Sequence, residues 1–406
     1  DKYSGLPVLS LALVLVGCGT STPPGTVSRS SDNAGAHIIQ NSDPIWDDRS
    51  AWTVHTAPRL EIGATGGGGG VGGDEHYQFH QVVDAVLLDG GTIAVADNGS
   101  KQLRFFGPDQ KYVRSVGGAG SGPGEFTRIS WFDRYHHDSL IVFDERTQQF
   151  SVFGSDGEFA RTNALRSEAG NLSVAYLQGT TRRGYLITVE MAPEFPIPLG
   201  IVRLNQRIVL YNPDGEREAY IGEFRGPEIF MMGGARGAAA PTLGPVPFAR
   251  MTFYGAHGQR FYAGSNDTFE IRVYDLSGNV QQIVRKQHSP RHVSRHHVEL
   301  YRESSGAQLR AGSLHSPLPE TFPAYGGFDV DELGNLWVVE YPIPGEQGGT
   351  RFVFDPDGRY WGTVAIPDGL RILEIGDDYM LGIHQDEFDV EYIRVHRIDK
   401  PRPPHG

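Results

Sequence analysis

The sequence predicts an all-β fold, a six-bladed β-propeller made of four-stranded antiparallel blades. The stretch 76–118 contains four short strands joined by tight turns, which is an antiparallel meander. The same stretch recurs with a constant offset of 47 positions. An internal repeat of roughly 40–50 residues with four strands is typical of a propeller blade. The repeated pairs are Phe79 and Phe126, Ile93 and Leu140, Asp97 and Asp144, and Phe106 and Phe153.

A recurring turn precedes the outermost strand of five of the units. It begins with an aromatic residue and continues with Pro, Asp or Gly, which suit a tight turn. The predicted blades cover residues 76–117, 122–165, 172–224, 248–286, 322–366 and 367–399. The last unit has only three strands, and we expect the segment 52–63 to supply the fourth. That strand would close the ring and leave no open sheet edge.

Two segments do not fit the repeat. Residues 226–247 are rich in Gly, Ala and Pro and predict a loop over one face. Residues 287–320 carry apolar side chains at loosely helical spacing and predict a short helical insertion between blades four and five. Long insertions are where a repeat scaffold usually carries its function. We assign the propeller to residues 52–399 and a C-terminal tail to residues 400–406.

The N-terminus has the features of a lipoprotein. Residues 6–17 are the only long apolar run, too short to span a bilayer and typical of a signal peptide. The run ends at Cys18, the only cysteine of the chain, and the arrangement resembles a bacterial lipobox. A lone cysteine without a disulfide partner favours lipidation over a plain secretory signal. We predict a signal peptide at 1–18 and a flexible tether at 19–51.

The composition argues against several classes of function. The formal net charge is −13 and no cluster of Lys and Arg is visible, which argues against nucleic acid as a partner. Aromatic residues make up 11% of the chain and hydrophobic residues 39%, which is enough for a buried core. The chain has no G-x-S-x-G motif, and the glycine run 66–70 is not followed by the Lys-Ser/Thr of a P-loop.

Three phrases resemble the NHL-repeat and six-bladed β-propeller proteins of bacteria. They are GGAGSGPGEF (117–126), AVADNGSKQLRFFGPDQKYV (94–113) and FDVDELGNLWVVE (328–340), and the likeness extends over about residues 52–399. The lipobox and the junction LPETFPAY (318–325) resemble a lipoprotein subgroup, and Gly19 after the cysteine implies sorting to the outer membrane, facing the periplasm or the medium. The class holds binding scaffolds, lyases and lactonases, so the resemblance implies a fold and not an activity.

The candidate site residues are polar side chains of the predicted innermost strands, near the mouth of the central tunnel. Members of the lactonase and amidating-lyase type hold a metal there, which requires His, Asp or Glu at the same position of several blades. No such repeated position is visible, and we predict no catalytic residue, metal ligand or cofactor. The candidates for binding are His80, Asp84, Asp133, Arg250, Tyr254, Asp329 and His384.

Other titratable residues have a simpler structural explanation. Asp97 and Asp144 follow the second strand of their blades, where a carboxylate usually caps backbone N–H groups. His292 and His296 are four positions apart and could share a helix face, as metal ligands do. The surrounding sequence RHVSRHH favours a solvated helix instead.

Three functions remain open. The first is a monomeric, membrane-anchored, extracytoplasmic module that binds a protein, peptide or glycan on a propeller face without catalysis. The alternative is a hydrolase or lyase that depends on Ca or Zn in the central tunnel. Convergence of three or more of the acidic and histidine candidates would favour this enzyme. The third, an assembly scaffold, would expose aromatic residues in the insertions.

Overall fold

The structure is a computed structural model of the chain. It describes residues 27–32, 35–47, 49–63, 74–136, 139–166, 175–192, 196–233, 242–304, 316–346 and 348–401. The predicted signal peptide and Cys18 therefore lie outside the described residues. Strands dominate the described part, in which six sheets are formed. We number these sheets 1–6 in chain order of their innermost strands.

The first three sheets follow a short N-terminal group of strands. This group is β1 (Val27–Ser31), β2 (His37–Asn41), β3 (Thr53–Val54) and β4 (Leu60–Ile62). Sheet 1 is β5 (Val82–Leu87), β6 (Ile93–Asp97), β7 (Gln102–Phe106) and β8 (Tyr112–Gly117). Sheet 2 is β9 (Ile129–Tyr135), β10 (Ser139–Asp144), β11 (Gln149–Gly154) and β12 (Phe159–Ala164). Sheet 3 is β13 (Ala175–Thr180), β14 (Leu186–Ala192), β15 (Gly200–Tyr211), β16 (Arg217–Met232) and β17 (Thr242–Pro245).

The remaining sheets include the N-terminal strands. Sheet 4 is β18 (Thr252–His257), β19 (Arg260–Ser265), β20 (Glu270–Asp275) and β21 (Val280–Lys286), extended by β2 and β1. Helix α1 (Arg295–Ser304) follows, inside the predicted helical insertion. Sheet 5 is β22 (Gly327–Val330), β23 (Leu336–Val339), β24 (Thr350–Phe354) and β25 (Tyr360–Ala365). Sheet 6 is β26 (Leu370–Ile375), β27 (Tyr379–Gln385) and β28 (Glu391–Asp399), with β3 and β4 paired to β28.

Hydrophobic cores lie between consecutive sheets. Phe105 of sheet 1 and Phe132 of sheet 2 share one cluster, and similar clusters join sheets 2 and 3, 3 and 4, 4 and 5, and 5 and 6. A further cluster joins sheet 6 to sheet 1 through Leu381, Ile393 and Phe106. Each fully buried large side chain contributes about 1.5–3 kcal/mol. Every sheet is therefore held mainly by its two neighbours.

The strands β5, β9, β13, β18, β22 and β26 each form one edge of their sheet, and we call them the innermost strands. β5 contacts β9 and β26, and β18 contacts β13 and β22. We call the end where they begin the top face and the end where they finish the bottom face. Bonds between sheets show that the bottom ends lie together: the Tyr135 hydroxyl of sheet 2 donates to the Gly184 carbonyl of sheet 3. His257 of sheet 4 likewise contacts the Glu332 carbonyl beside sheet 5, at 3.1 Å. The connection that contains α1 lies at the top face.

The segment predicted as a flexible tether is largely ordered, which corrects the boundary at residue 52. β2 runs parallel to the outer strand β21 and buries Ile39. The chain then crosses sheet 5, where the Trp46 amide donates to the Trp361 carbonyl at 2.8 Å. A Cβ at Gly362 would lie 2.4 Å from the Trp46 ring, so only glycine leaves room for this tryptophan. Ile39 and Trp46 are apolar residues in a polar stretch, and they could have predicted that this segment packs against the sheets.

The segment 226–247 is not the predicted loop in its described part. β16 continues to Met232 and pairs with β17, so that sheet 3 has five strands. Alternating apolar residues such as Ile229 and Met231 explain the continued strand. β15 and β16 together extend beyond the end of β14 at the top face. We call residues 199–204, 225–232 and 242–245 the arm.

The predicted roles of turn residues are confirmed. The Asp144 carboxylate accepts hydrogen bonds from the Thr127 and Arg128 amides at 2.7 and 2.9 Å. The turn glycine Gly215 has a φ of 81°, and a Cβ there would lie 2.2 Å from the Ala164 carbonyl oxygen. The backbone therefore requires glycine at this turn.

Candidate functional site

Two of the predicted binding residues, Asp84 and Asp133, lie close together on the first strands of sheets 1 and 2. Asp84 is on β5 and Asp133 on the neighbouring β9, and both are half-buried. Each carboxylate accepts a hydrogen bond from the next backbone amide, that of Ala85 at 2.8 Å and that of Arg134 at 2.7 Å. The structure therefore contains a pair of neighbouring carboxyl groups that the sequence analysis did not find.

Burial shifts the titration of both carboxyl groups. Loss of solvent raises the pKa of Asp84 well above its usual value, and the charge of Asp133 raises it further. Loss of solvent also raises the pKa of Asp133, to about 6. The nearby charge of Arg134 only partly opposes this shift. Because burial disfavours the charged form, this pair holds protons at a higher pH than ordinary surface carboxylates.

Below this pair, Arg134 connects four sheets. Its guanidinium donates to the Leu87 carbonyl of sheet 1 and to the Glu374 carboxylate of sheet 6. It also donates to Glu332, which follows β22 of sheet 5, at 2.7 Å. Glu374 in turn accepts from the Leu87 amide at 2.9 Å and from the Tyr379 hydroxyl at 2.5 Å. We call Arg134, Glu332, Glu374 and Tyr379 the arginine network.

The arginine network is partly open to water. The Arg134 side chain is 34% exposed and that of Glu332 is 42% exposed, whereas Glu374 is 11% exposed. Burial and the neighbouring Glu374 raise the pKa of Glu332. The network therefore lies at the bottom ends of these strands, where water still reaches part of it.

The other predicted binding residues are not part of this group. Asp329 accepts from Arg351 at 2.7 Å, and the Tyr254 hydroxyl donates to Gln206 at 2.9 Å. Arg250 donates to the Thr321 hydroxyl at 3.1 Å near the top face. His80 and His384 also lie at the top face. His80 precedes β5, and His384 lies near the end of β27, opposite Leu370. The local sequence does not specify how far along its strand each of these side chains lies, so their separation was not predictable.

Four residues of this region were not among the predicted site residues: Arg134, Arg371, Glu332 and Glu374. Arg371 of β26 donates to the Val82 carbonyl at 2.7 Å and lies close enough to influence Asp84. Sheet 6 has the weakest repeat pattern, so β26 could not be aligned with the innermost strands of sheets 1 and 2. The sequence LRILEI places two charged residues, Arg371 and Glu374, in an otherwise apolar strand. This pattern could have indicated them as site residues.

Among the residues that the structure describes, no group of three or more His, Cys, Asp or Glu side chains is arranged to hold a metal ion. The convergence that would favour the metal-dependent enzyme is therefore not found in this part of the chain. No described helix has the length and apolar character needed to cross a membrane.

The acidic pair leads to a stability prediction. Replacing Asp133 by asparagine should raise the free energy of unfolding by about 1–2 kcal/mol at pH 7.5. The reason is that the unfolded carboxyl ionises near pH 4 and the folded one near pH 6, so the native protein loses stability as the pH rises through this window. Asparagine has no such penalty and still accepts from the Arg134 amide.

Urea denaturation at pH 4 and pH 7.5 measures this effect. The stabilisation of Asp133→Asn should be present at pH 7.5 and mostly lost at pH 4, where the folded carboxyl is protonated and the unfolded one is about half protonated. The matched control is Asp329→Asn, on the innermost strand of sheet 5. An equal gain at both pH values would contradict a raised pKa for Asp133.

Comparisons with known proteins agree with this architecture. The family model of DUF5128, described as a 6-bladed beta-propeller, matches residues 78–172. A comparison with curated proteins gave no match. Among solved structures, a Bacteroides fragilis NCTC 9343 protein inferred to be exported has a TM-score of 0.50 at 14% identity, covering 90% of this chain and 100% of that one. The fold is therefore that of a β-propeller.

Two more distant similarities do not extend this conclusion. A member of the DUF4221 family from Bacteroides vulgatus ATCC 8482 has a TM-score of 0.49 at 10% identity, covering 87% of this chain and 100% of that one. A gluconolactonase from Xanthomonas campestris has a TM-score of 0.41 at 13% identity, covering 79% of this chain and 87% of that one. Similarity at these identities concerns the fold alone.

Proposed function

We propose that this protein is a non-catalytic binding module whose bottom face takes a cationic side chain of a peptide or protein ligand. One observation carries the proposal, namely the excess of carboxyl groups around the lower tunnel. Asp84, Asp133, Glu332 and Glu374 surround two guanidinium groups, those of Arg134 and Arg371. A lysine or arginine of the ligand would pair with the carboxyl groups that are ionised at pH 7.5, such as Asp133, and would lower the raised pKa of Asp84 by favouring its charged form.

The ring architecture belongs to the same proposal. We regard the six sheets as six blades of a closed ring, in which β4 completes the last blade. The pairing of Ile62 with Ile393 and the shared core of sheets 6 and 1 support this interpretation. In such a ring, sheets 2 and 5 face each other, so the bond from Arg134 to Glu332 would cross the tunnel. A rigid ring of this kind pre-organises the carboxyl groups for binding.

The cellular setting is the third part of the proposal. Lipidation of Cys18 would anchor the protein to the outer membrane as an extracytoplasmic lipoprotein, working as a monomer. The apolar run before the cysteine and the absence of other cysteines support this part.

Peptide binding at two pH values tests the cationic-ligand proposal. We expect the protein to bind dye-labelled peptides that contain Lys or Arg, and to bind their Gln counterparts more weakly. Affinity should fall on the order of tenfold between pH 7.5 and pH 5, because protonation of Asp133 removes one partner charge. Fluorescence anisotropy measures both effects.

Variants of the acidic pair provide the control. Asp84→Asn combined with Asp133→Asn should remove the preference for cationic peptides and its dependence on pH, whereas Asp329→Asn should change neither. Equal binding of the Gln peptides, or unchanged binding by the double variant, would contradict the proposal.

A second candidate is a hydrolase or lyase. The observation that favours it is the pair of neighbouring carboxyl groups with raised pKa values, one of them near 6, which suits general acid–base catalysis. Elemental analysis and a panel of lactone substrates, assayed with added Ca or Zn, distinguish it from the binding module. Turnover that Asp133→Asn abolishes would favour the enzyme.

A further inference from the structure

Three exposed large apolar side chains lie together in the arm at the top face. The other exposed side chains of this kind in the described part are spread over both faces, for example Phe388 at the top and Leu333, in the turn after β22, at the bottom. A water-exposed side chain of this size is unremarkable alone, but a group in one place usually marks a surface that is covered. The three in the arm are Leu199 (64% exposed), Leu243 (61%) and Ile201 (39%).

The arm holds three of these side chains in a fixed position. Arg203 lies near its base and donates to the Gly226 carbonyl and to the Asp267 carboxylate, both at 2.6 Å. Its side chain is only 10% exposed. Because Asp267 belongs to sheet 4, this residue ties the arm of sheet 3 to its neighbour. The leucines are thus presented on a braced hairpin and not on a loose loop.

Helix α1 lies at the same face but adds no net charge to it. Its residues Arg295 and Arg302 are matched by Glu299 and Glu303 on the same helix. Arg291, before the helix, is paired with Glu346 at 2.7 Å. The contact that this face offers a membrane is therefore apolar and comes from the arm.

The start of the ordered chain also lies at the top face. β21 runs from bottom to top, β2 runs parallel to it, and β1 runs antiparallel to β2, so Val27 is at the top of sheet 4. Between Cys18 and Val27 the chain has eight residues, 19–26. A fully extended chain from 18 to 27 spans at most about 30 Å. An anchor at Cys18 would therefore hold the top face close to the membrane.

We propose that the top face lies on a phospholipid bilayer, with the apolar side chains of the arm inserted into the interface. The inference rests on the lipidation of Cys18 proposed above. It places the acidic lower tunnel on the side that faces away from the membrane. A soluble ligand would then reach the Asp84–Asp133 pair from the bottom face while the protein stays anchored.

Site-specific fluorescence tests this orientation in the lipidated full-length protein. An acylated Cys18 has no free thiol, so a single introduced cysteine can be labelled with the dye NBD. We compare Leu243→Cys in the arm with the matched control Leu333→Cys, which is similarly exposed at the bottom face. The probe membrane is a vesicle of phosphatidylethanolamine and phosphatidylglycerol, with or without spin-labelled lipid as a quencher.

We expect NBD at position 243 to shift its emission to the blue and to lose more than half of its intensity with the quencher, whereas NBD at position 333 changes in neither respect. Equal behaviour of the two labels would overturn the orientation. A blue shift without vesicles that grows with protein concentration would show that a second copy covers the arm, and would also overturn it. Labelling of Cys18 in the unsubstituted protein would refute the lipid anchor itself, independently of peptide binding.

Discussion

Replacing Trp52 by alanine is expected to lower the free energy of unfolding by about 3–5 kcal/mol. Trp52 is 5% exposed and lies among three other tryptophans. Its ring centroid is 5.2 Å from that of Trp46, 5.7 Å from that of Trp337 and 5.0 Å from that of Trp361. Removing it would leave a large cavity between sheets 5 and 6. Urea denaturation followed by circular dichroism measures the change.

The control for this substitution is Leu333→Ala. Leu333 is 51% exposed, so the same experiment should show a change of about 0.5 kcal/mol or less. Similar small effects for Trp52→Ala and Leu333→Ala would contradict the packing of Trp52 between sheets 5 and 6.

Replacing Asn41 by alanine is the second large expected effect, a loss of about 2–4 kcal/mol. The Asn41 side-chain amide donates to the Arg285 carbonyl of sheet 4 at 2.9 Å and to the Gly358 carbonyl of sheet 5 at 3.0 Å. Its oxygen accepts from the Tyr360 amide at 2.9 Å. Asn41 is 1% exposed, so alanine would leave three backbone groups without a partner in a place that water does not reach.

The neighbouring Gln40 provides a matched control on the same strand. Gln40 faces solvent, and we expect Gln40→Ala to change the free energy of unfolding by less than about 0.5 kcal/mol. Hydrogen exchange of the sheet 5 amides adds a local measurement, because Asn41→Ala should increase exchange at Tyr360. Equal stability of the two variants would contradict the bridging role of Asn41.

Most of the sheet structure was predictable from local pattern. The turn chemistry at Phe153 and Tyr211 and the offset between Phe79 and Phe126 depend only on residues that are close in the chain. The pairing of segment 52–63 with β28 was also predicted, because the last unit visibly lacked a strand.

The residues of the proposed site were only partly predictable. Asp84 and Asp133 stood out as charged residues on predicted innermost strands, and the structure places them side by side. Burial raises the pKa of both carboxyl groups, and the charge of Asp133 further raises that of Asp84, which no local pattern encodes. Arg134 looked like an ordinary strand residue, since its partners Glu332 and Glu374 are 198 and 240 positions away in the chain.

The sequence by itself determined the repeat, the turns and the alternation that make this chain a β-propeller, because those features arise from contacts within a few residues. Only the tertiary structure decided which polar side chains of different sheets meet, and that the described residues of 27–47 cross the outside of sheets 4 and 5. The physical reason is that burial and charge pairing at these places depend on the distances between sheets. Those distances exist only after the sheets have packed against one another.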